Sequence, residues 1–169
     1  MAATAIRRFS LAAFSTFTLL LIVVVQGILA HRFRFFHVFD LPLIYCVYYG
    51  FTRSKPIPSV FIGSILGLMQ DSLSGAAMGT NGFSKALVCF AAASTSLKFN
   101  VDQPFTRAFG LFLFTFADGL VVTILTTTMG ALDRPGYGTR FVDLTLSAIF
   151  NTLLGLIMFG VRDRFRNAT

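Results

Sequence analysis

The sequence predicts an all-α fold, a single integral membrane domain over residues 1–169 built as a polytopic transmembrane bundle of about six spans. Three observations predict it. Hydrophobic residues make up 55% of the chain, and its mean hydropathy is +0.75. Charged residues make up 12%, about half the share of an ordinary soluble domain. The apolar residues come in runs approaching the roughly 20 that cross a bilayer as a helix, and most basic residues collect in short segments between them.

The first run, "LAAFSTFTLLLIVVVQGILA" at about 11–30, follows Arg7 and Arg8. Its long apolar core and the lack of an A-x-A pattern after it make it a retained anchor rather than a cleaved signal peptide. "HRFRFFHVFD" connects it to a second, short span at about 39–52, with Asp40 placed as N-cap and Pro42 in the first turn. Pro56 and Pro58 open a third span at about 57–74, and a fourth covers about 82–97. After "KFNVDQP", a long fifth span runs over about 105–132 and a sixth over about 141–161. Five spans is the count if the short second one is re-entrant.

Loop charge sets the expected orientation. With the N-terminus inside, nine basic residues are cytoplasmic: Arg7, Arg8, Arg53, Lys55, Lys98, Arg107, Arg162, Arg164 and Arg166. Four are outside: Arg32, Arg34, Arg134 and Arg140. This bias favours both termini in the cytoplasm. The spans and their short turns use the whole chain, which leaves no extramembrane domain for a soluble active site.

The net charge of +7 raises nucleic acid as a partner, but no basic groove or aromatic-plus-basic module accompanies it. Catalysis finds little support either. Both His residues, His31 and His37, sit in the connector, so a serine-based intramembrane protease lacks its base. Glu is absent from the chain, and Cys46 and Cys89 stand alone in apolar segments without metal-ligand spacing. They are expected to be small hydrophobes rather than a disulfide. No cofactor, metal or catalytic residue is expected.

The polar residues inside the spans remain. On the third span Ser59, Gly63, Gly67, Gln70, Asp71 and Ser74 recur at three- and four-residue spacing and share a face. Gly63 and Gly67 form a GxxxG, which allows close approach either of a neighbouring helix or of another protein. Asp71 lies about 20 Å along its helix at about 1.5 Å per residue, near the outer boundary. Lys85 follows the turn "SGAAMGTNG" at similar depth, so an Asp71–Lys85 pair pinning the hairpin is the economical expectation, with a ligand or proton site as the alternative. The glycines of that turn lack Walker spacing. Asp118, near the middle of the fifth span, is expected to meet Asn151 on the face that also carries Asp143, Ser147 and Gly155.

The size, the helix layout and the segment "FIGSILGLMQDSLSGAAMGTNG" resemble the MreD family, small membrane subunits of the bacterial rod-shape and cell-wall elongation machinery. Gly67, Asp71, Ser74, Gly75 and Gly79 carry the resemblance, together with "VFDLPLIYCVYYGF" and its Asp40. The resemblance implies a non-catalytic scaffold in the bacterial inner membrane, bound to lipid and to the single-span protein MreC. Through MreC it would reach MreB filaments, RodA and a penicillin-binding transpeptidase, and so peptidoglycan synthesis and cell shape. The family also resembles in fold the substrate-binding subunits of energy-coupling-factor transporters. That likeness makes small-molecule capture the alternative, with Gln70, Asp71, Asn81, Lys85 and Asp143 as pocket candidates.

Overall fold

The computed structural model describes residue 24 and residues 39–75, 77–101, 103–129 and 141–166. These form five helices: α1 (Leu41–Arg53), α2 (Pro56–Ser74), α3 (Thr80–Lys98), α4 (Pro104–Thr128) and α5 (Phe141–Arg166). Among the described residues there is no strand. Apart from residue 24, the expected first span at 11–30 lies outside them, as do Arg134 and Arg140.

Local chemistry sets the helix ends. Asp40 caps α1, its Oδ1 accepting from the Leu43 amide at 3.0 Å, and Pro42 occupies the first turn where no amide is needed. Pro56 begins α2 and Pro104 begins α4, each after an extended residue, as the residue before proline prefers. Gly75 ends α2 with φ +65°, a left-handed conformation that costs glycine little. In the second half of α4, the hydroxyls of Thr123, Thr126, Thr127 and Thr128 bond carbonyls one turn back. Polar side chains are thereby satisfied within their own helix.

Contacts fix the directions. Gly63 faces Lys85 and Ala86, and Gly67 faces Asn81 and Gly82, so α2 and α3 run antiparallel. A Cβ on Gly67 would lie 2.6 Å from the Gly82 Cα, and one on Gly63 would lie 2.7 Å from the Lys85 carbonyl carbon. The GxxxG face is therefore filled by α3 backbone. On the other side, Gly119 meets Leu144 and Gly155 meets Leu111, which makes α4 and α5 a second antiparallel pair. Between the pairs lies α1, touching all four other helices. At 13 residues it is about 20 Å long, shorter than the roughly 30 Å of a hydrocarbon core.

Leu43, Val47 and Phe51 of α1 pack with Val88, Ala92, Leu111, Phe114 and Phe159 to form the apolar core. Cys46 and Cys89 are free thiols buried in a second cluster with Leu66. Large apolar side chains also cover much of the outside of the described helices. Ile57, Phe61, Ile65 and Leu68 on α2 form an exposed stripe, as do Phe105, Phe109, Leu113, Leu120 and Ile124 on α4. Val142, Leu146, Ile149, Leu153 and Ile157 do the same on α5. Meanwhile Asp71, Lys85, Asp118 and Asn151 are buried, so the bundle turns apolar groups outward and charges inward. Two stretches, Pro104–Thr128 and Val142–Gly160, are long and apolar enough to cross a membrane.

Candidate functional site

Buried Asp71, Ser84, Lys85, Asp118 and Asn151 gather in one layer toward the end of the bundle where α1, α3 and α5 begin. Its centre is Lys85, on the second turn of α3 and fully buried. The ammonium donates to Asp40 Oδ2 at 2.7 Å and lies 3.7 Å from Asp118 Oδ2. It also reaches Asn81 Oδ1 at 3.4 Å, one turn back on its own helix. Asp40 thus serves twice, with Oδ1 capping α1 and Oδ2 holding Lys85.

Asp71 does not pair with Lys85 as expected. Its two carboxylate oxygens accept from the Gly79, Asn81 and Gly82 amides at 2.9, 3.1 and 3.2 Å and from Asn81 Nδ2 at 2.8 Å. The first amides of a helix have no partner within it and carry the positive end of its dipole. Gly79, at φ +92°, offers no side chain to cap them. The acid on the last turn of α2 fills that need, and Asn81 relays between Asp71 and Lys85.

Asp118 and Asn151 enter the same layer but do not bond each other as expected. Asp118 Oδ1 meets Ser84 Oγ at 2.6 Å. Asn151 Oδ1 accepts from the Asp40 amide at 3.0 Å, and Asn151 Nδ2 donates to Ser147 Oγ at 3.3 Å. Each is instead linked to the start of α1, Asn151 directly and Asp118 through Lys85. Gln70, expected on the same face as Asp71, is half-buried, and its Oε1 has no hydrogen-bond partner. Asp143 is exposed at the start of α5. Gly63 and Gly67 face α3 rather than a free surface.

Reading the sequence alone missed Asp40 as the partner of Lys85. The signal was present, since α1 and α3 run parallel and each charge sits near its helix start. It also missed the opposite end of the bundle. There Arg107 at the start of α4 pairs with Asp163 at the end of α5, donates from Nε to the Val101 carbonyl at 2.9 Å, and stacks 4.9 Å over Phe159. The antiparallel α4–α5 pair places those two charges together.

The layer carries charge in fixed positions, held by the chain's own donors and acceptors. It ties α1, α3, α4 and α5 directly, and α2 through Asp71 and Asn81. No curated protein and no solved structure matches the chain. The family model for rod shape-determining protein MreD matches residues 7–163, nearly its whole length. The chain belongs to the MreD family, the membrane proteins that determine rod shape.

Proposed function

We propose that the chain is a non-catalytic, multi-pass scaffold of the bacterial inner membrane. In this reading it binds MreC and links MreB filaments to RodA and a penicillin-binding transpeptidase during peptidoglycan synthesis. The described helices, together with the apolar run at 11–30, make six spans with both termini in the cytoplasm. The observation that supports this best is the inversion of polarity. Charged groups near the centre hold one another, while apolar stripes on α2, α4 and α5 face outward, available to lipid and to partner helices.

Capture of a small anion, in the manner of an energy-coupling-factor subunit with its related fold, would draw on Lys85. That ammonium is already held at 2.7 Å by Asp40, so an anion would have to displace a carboxylate. The scaffold reading requires no such displacement.

Purification of the tagged protein from its native membrane in mild detergent, with partners identified by mass spectrometry, tests the reading. Recovery of MreC with RodA and the transpeptidase is expected. Recovery of an energy-coupling transmembrane subunit with paired ATPases, and none of these, would overturn it.

A further inference from the structure

We propose that Arg53, Lys55 and Lys98 form a docking site for the headgroup of an anionic phospholipid. The site lies where α1 and α3 finish and α2 begins. Ser54, between the first two cations, is the one non-glycine residue with a positive φ among the described residues, at +49°. Its amide closes α1 by donating to the Gly50 carbonyl at 3.0 Å. Its Oγ lies 2.9 Å from Ser96 Oγ of α3, which is also 3.2 Å from the Gly50 main-chain oxygen. The α1–α2 turn is thereby fastened to the last turn of α3, two residues before Lys98. Cations from three helix ends are brought to one place, and all three are exposed.

Helix stability accounts for two of them. Arg53 and Lys98 lie in last turns, where a cation meets the negative end of the helix dipole. Lys55 does the reverse. It stands at the N-cap of α2, the positive end, and makes no side-chain cap bond. That placement disfavours α2 and adds like charge beside Arg53 and Lys98, and an outside anion relieves both. In the sequence, two acids fall in the segments that meet at this end, Asp102 and Asp163. Asp163 is held by Arg107, and Asp102 lies outside the described residues. Even a bond from Asp102 would balance one cation of the three.

The neighbouring side chains decide what kind of anion fits. Ile57, Leu97 and Phe99, within two residues of the cations, are 73%, 62% and 64% exposed. The apolar stripe that begins at Ile57 continues along α2 through Phe61 and Ile65. A phosphate that carries acyl chains satisfies both halves of the surface, its headgroup on the cations and its chains along the stripe. Long basic side chains reach headgroup level from helix ends and attract anionic lipid there. An acidic protein segment would meet the cations and leave the apolar rim bare. The site does not depend on which proteins the chain assembles with.

Native mass spectrometry of the full-length protein, titrated with phosphatidylglycerol or phosphatidylcholine of matched chains, tests this. Phosphatidylglycerol is expected to bind at least tenfold tighter. Each cation contributes about fivefold, so the triple variant Arg53→Gln, Lys55→Gln, Lys98→Gln should lose most of that preference. Arg53→Lys combined with Lys98→Arg, which keeps the charge, should retain it. No preference in the parent, or one that persists in the triple variant, would overturn the proposal. Should the triple variant fail to fold, Lys55→Gln alone is read instead, and an unchanged preference there counts equally against it. Inorganic phosphate and a hexaglutamate peptide, which lack acyl chains, are expected not to displace the lipid. Displacement by the peptide would assign the surface to an acidic protein segment, and displacement by phosphate to a free anion; either would overturn the lipid assignment.

Discussion

Asp71 stands on the last turn of one helix and caps the first turn of the next, its carboxylate accepting from Gly79 at the N-cap and from Asn81 and Gly82 of α3. Asp71→Ala is expected to cost about 1–3 kcal/mol of stability, because it strands amides at a helix start that has no other cap. Asp71→Asn, which keeps one oxygen, should fall between, and unfolding in detergent–SDS mixtures measures both. Lys85 behaves differently, because its loss leaves the half-buried Asp40 and the buried Asp118 without the cation they both face. Lys85→Met is expected to cost about 3–5 kcal/mol, and Lys85→Met combined with Asp40→Asn distinctly less. Equal losses in the single and double variants would show that the pair is not coupled. The sequence led to the wrong partner because Asp71 is the acid just upstream of Lys85, and sequence distance stood in for spatial distance. Helix-start amides compete for a nearby carboxylate, and here they win it.

Among the elements, the hairpin of α2 and α3 is the closest contact, and its glycines differ in kind. Gly63 and Gly67 lie against backbone, which cannot give way as the end of a flexible side chain can. Gly67→Ile and Gly63→Leu are each expected to cost about 3 kcal/mol or more and to broaden the monodisperse peak on size exclusion. Gly75 has open space around a would-be Cβ, so Gly75→Ala should cost only about 1 kcal/mol, through its positive φ. A Gly67 variant that melts like the parent would remove this contact from the account of stability. Much here was legible in the chain: the prolines at helix starts, Asp40 as a cap, and GxxxG as a site of close approach are local signals. What GxxxG approaches is not local, since the motif states only that something comes near. The sheltered position of α1 was also hidden, because a short apolar run looks alike whether lipid or protein surrounds it.

Across the whole molecule, charge is divided between the two ends. Arg53, Lys55, Lys98, Arg107 and Arg164 lie where α1, α3 and α5 finish and α2 and α4 begin, while Asp40, Asp71 and Asp143 lie toward the other end. In a membrane this asymmetry sets orientation. Single cysteines placed at Lys55 and Lys98 are expected to react with a membrane-impermeant thiol reagent only after the cytoplasmic face is opened. Cysteines placed at Gly75 and Asp143 should react in intact spheroplasts. The native Cys46 and Cys89 are buried and should stay silent. Labelling that mixes the two sets would contradict the alternating directions of the helices.

The partnership of Lys85 with Asp40 also bears on biosynthesis. The ribosome makes Asp40 before Lys85 and Asp118 after it. When the lysine leaves the translocation channel, its counter-ion has already been made, and the two can meet while α4 is still unmade. The chain then need not hold a bare ammonium in lipid while it waits for the rest of the protein. α4 arrives afterwards, carrying its acid to an ion pair that has already closed.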